Sequence, residues 1–309
     1  MLDPQKTYDL VRSDLENAEQ FRLKCIRKLR PWKLGMYVII AGTVIGLFFS
    51  AFFMLAPLVM ILIVYLIMWS NELKKLKKFF QESVVSKIVQ SMGSDFKYEA
   101  EGKIDESILK DCKLFLGFNR YKSEDLVTGT VDGNKIMHAE IDLKKHTKSS
   151  KSKSSTSQIF KGIFFVLYLK LKIPEPFYIL SYAETKFIDR LSKFLPGINQ
   201  DRGKRFDTGH EAFEKMFNVY THSPDTTSKL LPAPILEQLI QVNQRFKDKK
   251  ITQRDISFAF IDQRIYVAIP TRGIQNWMDP SLAEPINTKE FISRQLELVN
   301  EVYSLSSIF

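Results

Sequence analysis

Residues 125–143 read DLVTGTVDGNKIMHAEIDL, and this stretch sets the fold class. Asp132-Gly133 between two β-prone runs is the turn signal of a tight hairpin. On the second strand Met137, Ala139, Ile141 and Leu143 alternate with His138, Glu140 and Asp142. Successive strand side chains point to opposite faces, so the first set is expected to meet a core and the second set solvent. Outward from this hairpin, GIFFVLYLKL (162–171) starts apolar on both faces, as a central strand does. PFYILSY (176–182) and FNVYTHS (217–223) read as further strands, and DISFAFIDQRIYVAIP (255–270) as a second hairpin turning near Asp262-Gln263. Pro232 and Pro234 introduce a helix with an apolar stripe at Ile235, Leu236, Leu239, Ile240 and Phe246. A last helix opens on a capping-box-like pair, Asn287 and Glu290, with Phe291, Ile292, Leu296, Val299 and Val302 toward the core. Strands and helices alternate without a βαβ rhythm, which makes the domain α+β with a mostly antiparallel sheet and packed helices. Within it, KKHTKSSKSKSSTSQ (144–158) is expected to be a flexible Lys/Ser-rich loop.

Toward the N-terminus the composition changes. From Leu34 to Trp69 no residue is charged. One helix of that length would run to roughly 54 Å, well past a hydrocarbon core of about 30 Å, so a transmembrane helical hairpin folding back near Phe53 to Pro57 is expected. Soluble core helices keep a polar face, and this stretch keeps none. Arg22, Lys24, Arg27, Lys28, Arg30 and Lys33 precede it, and Lys74, Lys75, Lys77 and Lys78 follow it. Basic residues on both flanks place both termini and the soluble domain in the cytoplasm. Gly42 and Gly46 form a GxxxG that allows close helix approach. Before the hairpin, Val11, Leu15, Ala18, Cys25 and Leu29 form a stripe interrupted by Arg22, in a helix that Pro31 is expected to end. After it, Leu73, Leu76, Phe80, Val84, Ile88 and Met92 carry another. The two helices either pair as an antiparallel stalk or pack separately on the soluble domain. The expected divisions are an amphipathic helix at 1–33, the hairpin at 34–69, a connecting helix at 70–93 and the α+β domain at 94–309.

The net charge of +10 is accounted for by the hairpin flanks together with Lys144, Lys145, Lys148, Lys151 and Lys153. The folded remainder is not basic, which argues against nucleic acid as a partner. Cys25 and Cys112 sit in no CxxC or Cys/His spacing. His138-x-Glu140 resembles half of a zinc-deaminase motif, yet no PCxxC follows. His210-Glu211 and His222 stand in no HExxH spacing, and neither a GxSxG elbow nor a GxxxxGK[ST] loop occurs. No cofactor and no metal are expected. His138, Glu140 and Asp142 remain the weak catalytic candidates.

Four blocks in order resemble the bacterial domain-of-unknown-function family numbered 3137, the galanin-labelled membrane proteins. They are EDLVTGTVDGNKIMHAEI (124–141), IFKGIFFVLYLKL (159–171), FEKMFNVYTHSPDTTSKLLPAPILEQL (213–239) and ISFAFIDQRIYVAIP (256–270). The Lys/Ser-rich insert and Leu231-Pro232, where a hydroxyl residue is expected before the proline, depart from that pattern. The resemblance implies a bacterial membrane protein, expected in the inner membrane, and carries no activity or catalytic residue. The functional expectation is a non-enzymatic scaffold, sensor or binding module with the bilayer and an unidentified protein as partners. A tethered hydrolase or transferase using the polar strand face, and an anionic-lipid-binding module, are the alternatives.

Overall fold

An apolar run buried on both faces needs a strand on each side and cover above and below. In the computed structural model, which describes residues 3–48, 55–148, 154–181, 200–249, 251–271 and 279–305, that run is β4. The chain divides into a sheet unit (Met1–Leu2, Val89–Trp277 and Arg294–Phe309) and a helical unit (Asp3–Ile88 and Met278–Ser293).

The sheet unit holds β1 (Lys97–Glu99), β2 (Arg120–Val131), β3 (Asn134–Thr147), β4 (Ser155–Tyr168), β5 (Phe177–Ser181), β6 (Lys204–Phe206), β7 (Phe217–Thr221), β8 (Ser257–Ile261) and β9 (Arg264–Pro270). They form one sheet in the order β1-β2-β3-β4-β9-β8-β5-β7-β6, antiparallel at each pairing. The domain is therefore α+β with a large antiparallel sheet, as the alternating pattern implies. Asp132 (φ 51°) and Gly133 (φ 79°) make the two-residue turn between β2 and β3, and Asp262 (φ 52°) turns β8 into β9.

Register sorts the side chains. Ala139 pairs with Phe164, Leu143 with Phe160 and Met137 with Val166. This face packs in one core with Tyr178, Ala259 and Tyr266, and with Ile104, Leu109, Cys112, Leu114 and Phe115 from the segment that includes the helix Glu106–Asp111. The opposite face carries His138, Phe165 and Val267, which are also fully buried. Fully burying a Phe or Leu is worth about 1.5–3 kcal/mol, so both layers contribute heavily. The close packing of β4 on β9 needs Gly162, because a Cβ there would stand 2.1 Å from the Ile269 carbonyl oxygen.

The Lys/Ser-rich segment departs from its expected character. Lys144 pairs with Gln158, Lys145 with Ser157, His146 with Thr156 and Thr147 with Ser155. The β3–β4 hairpin thus continues as an exposed ribbon, and residues 149–153 lie outside the described ones. Gln158 steadies its base by donating to Asp142 Oδ1 and to the Leu143 and Phe160 carbonyls. Composition marked a loop here, but backbone pairing needs no apolar side chains when the flanking strands are already in register.

In the helical unit, α1 (Pro4–Phe48) runs on through Pro31, which was expected to end it, and α2 spans Leu55–Phe80. An internal proline costs roughly 3 kcal/mol. The contacts along α1 carry that cost, for Val11, Leu15, Ala18, Cys25 and Leu29 are buried, as are Leu76, Phe80, Val84 and Ile88. Phe21 stacks on Phe79 at 5.0 Å, and Asp14 pairs at 2.7 Å with Lys87 of the helix Ser86–Met92 that follows α2, so α1 and α2 with its continuation form the antiparallel stalk. Pro57 falls in the first turn of α2, where its missing N–H costs little. Residues 49–54 of the expected fold-back lie outside the described residues. Among the described residues no helix is long and apolar enough to cross a membrane. Gly42 is not at a close contact, since an added Cβ would meet nothing within 4 Å. The surroundings of Gly46 lie outside the described side chains. The final helix is Lys289–Ser304, and Thr288 rather than Asn287 caps it, its Oγ1 accepting from the Phe291 N–H at 3.2 Å.

Arg22 also departs from expectation. It was grouped with the basic flank, yet it is buried. Its Nε and Nη2 donate to the two carboxylate oxygens of Glu19 at 2.8 and 2.6 Å, and Nη1 donates to the Leu282 carbonyl at 2.9 Å. Glu19 also accepts from the Ile286 N–H at 3.1 Å. The Arg22 hydrogen bonds hold the Glu19 carboxyl below its ordinary range. Its contribution is therefore present above the unfolded value near 4.5 and is lost as pH falls through the lower folded value. Glu19→Ala is expected to destabilise the chain by about 3 kcal/mol at pH 7, because it strands a buried guanidinium. The double change Glu19→Leu/Arg22→Met is expected to recover most of that loss. Urea denaturation followed by circular dichroism measures both, and a single-variant loss under about 1 kcal/mol contradicts this role.

Candidate functional site

The register of β2, β3 and β4 decides which polar groups meet. Lys122 lies opposite Asp142, and Asp142 opposite Lys161; Glu124 lies opposite Glu140, and Glu140 opposite Ile163. Counting back from the Asp132-Gly133 turn would put Asp125 opposite Glu140. A bulge between Glu124 and Val127 shifts the register, and Asp125 takes φ 59°, a left-handed conformation that Asp tolerates better than most residues. Asp125 Oδ1 accepts from the Tyr98 hydroxyl at 2.5 Å, and the Asp125 N–H donates to the Ala100 carbonyl at 3.0 Å. The result is a trio, Glu124, Asp125 and Glu140, whose ligand atoms all lie within 4.8 Å of one another, with Asp125 and Glu140 buried.

Glu124 and Glu140 of the trio also line a pocket of about 80 Å³. Its walls are Lys122, Glu124, Glu140, Asp142, Lys161 and Thr271, and Ile141 and Gly162 complete the lining. Lys122 Nζ stands 3.2 Å from Glu124 Oε1. Lys144 Nζ lies 2.9 Å from Asp142 Oδ2, and Gln158 Nε2 donates to Asp142 Oδ1 at 2.7 Å. Burial pushes the Asp142 carboxyl up, but the bonds from Gln158 and Lys144 outweigh it and leave the group below its ordinary range. An all-oxygen donor set of this kind suits hard cations such as magnesium, calcium or manganese better than zinc. In the trio Lys122 already balances part of the charge through Glu124, and Lys144 does so at the neighbouring Asp142.

The face carrying His138, Glu140 and Asp142 was expected to be solvated, and it is not. His138 is fully buried and Glu140 nearly so, while Asp142 is half-buried. The imidazole packs against Phe165 at 4.7 Å between ring centroids and shares a 3.1 Å hydrogen bond with the Tyr303 hydroxyl. Burial lowers the His138 pKa to about 3 and raises that of Tyr303. A neutral, enclosed imidazole of this kind neither shuttles protons at neutral pH nor joins the trio. His210 is occupied as a helix cap, with Nδ1 accepting from the Phe213 N–H at 3.3 Å, and His222 is exposed. Among the described residues no histidine joins the carboxylates. Burial also raises the thiols, Cys25 to about 11 and Cys112 to about 12, so neither is a ready thiolate. Glu124 and Asp125 escape a motif search. Only the turn register, corrected by one bulge, brings them to Glu140.

Residues 158–309 match a family described as protein of unknown function (DUF3137), so the resemblance read from the sequence blocks holds over that part of the chain. No curated protein matches. Among solved structures, the mycobacterial trehalose monomycolate transport factor A, TtfA, aligns with a TM-score of 0.33 at 12% identity, covering 70% of this chain and 89% of that one. A likeness of this size transfers neither fold detail nor activity.

The enclosed imidazole has a measurable consequence. His138 stays neutral in the folded chain down to about pH 3, whereas an unfolded histidine takes a proton near 6.5. Protons therefore favour the unfolded chain between those values, and stability falls as pH falls through that window. Between pH 7 and 5 the native chain is expected to lose about 2 kcal/mol more than a His138→Gln variant, whose amide does not titrate. Urea denaturation at the two pH values measures the difference. Equal losses contradict the buried, neutral state.

Proposed function

We propose that this chain is a bilayer-anchored, non-enzymatic binding module of a bacterial inner membrane, acting as a scaffold or sensor for a protein partner. In this reading the apolar end of the α1–α2 hairpin sits in lipid, with both termini and the sheet domain on the cytoplasmic side. One observation carries the anchor. Of the exposed large apolar side chains among the described residues, all but Leu10, Leu23, Trp32 and Leu171 lie between Leu34 and Ile67. Val38, Val44, Met60 and Leu66 are each more than half exposed, at 65%, 52%, 67% and 55%. Water-exposed apolar surface on this scale marks an interaction site. Each such side chain gains about 1.5–3 kcal/mol on leaving water. A basic residue near a charged surface contributes about 1 kcal/mol, so apolar burial dominates the anchoring. The described limbs, Leu34–Phe48 and Leu55–Trp69, each reach roughly 22 Å, so the depth of insertion depends on the residues between them.

The non-enzymatic half of the reading is supported by the state of the reactive groups. His138 is enclosed, both thiols are held protonated, and the Asp142 carboxylate is engaged by Gln158 and Lys144. These groups are enclosed or already bonded rather than standing ready to react.

High-salt and carbonate washes of membranes containing the full chain are expected to leave it in the pellet, because apolar burial rather than charge holds it. Reporter fusions at the two termini are expected to read cytoplasmic. Release by carbonate would overturn the anchor, and opposite readings at the termini would overturn the fold-back.

A further inference from the structure

We propose that the base of the hairpin is a collar that binds the headgroups of anionic phospholipids. This rests on the anchor reading above and adds a lipid preference to it. No acidic residue occurs from Gln20 to Asn71, so positive charge near the apolar stretch has little to neutralise it. The nearest carboxylate, Glu72, is taken up by Lys75 at 2.8 Å and Lys28 at 3.7 Å, and Lys77 is taken up by Asp279 at 3.0 Å. Lys24, Arg27, Arg30 and Lys33 on α1 and Lys74 on α2 are exposed and make no ion pair among the described residues.

Height matters as much as charge. Lys33 adjoins Leu34, Arg30 lies about 6 Å below it along α1, and Arg27 about 10 Å, all close to a Debye length in physiological salt. The antiparallel pairing of Phe21 with Phe79 and Asp14 with Lys87 brings Lys74 to about the level of Arg27. Aromatic rings mark the same boundary. Tyr37 is exposed with the Lys33 ammonium 6.0 Å from its ring centroid, Trp32 is exposed, and Tyr65 and Trp69 lie 6.0 Å apart on α2. Amphipathic rings favour the headgroup level, and a guanidinium binds a phosphate with two parallel hydrogen bonds. Unpaired basic groups and interfacial aromatics together fit a phosphate-bearing surface with net negative charge.

The test is flotation of the full chain, diluted from detergent, with vesicles of phosphatidylcholine alone or with phosphatidylglycerol added. The chain is expected to float with both, to partition at least tenfold better onto the anionic vesicles, and to lose that preference as salt rises. Changing Arg27, Arg30, Lys33 and Lys74 to Gln is expected to abolish the preference, by up to about fivefold per residue, while flotation on phosphatidylcholine persists. Arg27→Lys/Arg30→Lys is expected to retain it. Because these side chains are exposed, the melting temperatures of the variants should match the native chain, which separates lost binding from lost folding. Flotation without lipid preference would overturn the collar and leave the anchor standing. Failure to float on either vesicle would overturn both.

Discussion

Strand β4 is apolar on both faces, and the rest of the sheet unit is organised by the need to cover it. Phe160, Phe164 and Val166 face one way; Ile163, Phe165 and Leu167 face the other, and each is at most 4% exposed. A strand of this kind cannot lie at an edge or face water on one side. It therefore takes β3 and β9 as neighbours, with the 104–118 segment packed on one face. On the other, Tyr303 reaches His138 and Phe165. His138 shares a face with Phe165, so the layer that covers the phenylalanine covers the histidine too. The polar pocket lies further along the same strands, at Lys122, Asp142 and Lys161.

This explains which parts of the fold were legible beforehand. Turn chemistry is local, so Asp132-Gly133 and Asp262-Gln263 could be read directly, and the strands beside them followed. The apolar stripe of the last helix was equally plain, because helical spacing survives without knowledge of partners. The polar alternation at His138, Glu140 and Asp142 misled for the opposite reason. Alternation marks two faces but does not say which of them is wet, and that depends on the neighbouring strand. The double-faced apolar run of β4, visible at 162–168, was the available signal against a solvated face. The Glu124–Asp125–Glu140 trio could not be read at all without the bulge, since a one-residue shift changes which carboxylates meet. Composition misled at 144–158 and a residue rule misled at Pro31. In both places backbone bonds already propagating through the element outweigh the local preference.

The helical unit divides its side chains along its length. In the lower stalk the apolar stripe from Val11 to Leu29 is buried and several charges are paired, as in the Glu19–Arg22 bond and the Lys28–Glu72–Lys75 cluster. Beyond Lys33 the pattern inverts, and among the described residues Val38, Val44, Met60 and Leu66 are exposed. Between these regimes stand Arg27, Arg30, Lys33 and Lys74 with the four aromatic residues around them. In the proposed anchor the apolar end would meet hydrocarbon, the aromatic and basic boundary the headgroups, and the stalk water. That order along the helices is what supports the proposed anchor.

The measurement that bears most directly on the anchor is the accessibility of nitroxide labels in vesicle-bound chain, placed one at a time at Val38, Val44, Met60 and Ile67, with Glu16 as the stalk reference. Insertion predicts that labels at the four apolar positions collide more with lipid-soluble oxygen than with a water-soluble paramagnetic complex, while the label at Glu16 shows the reverse. Preferential collision with the water-soluble complex at all five positions would contradict the account.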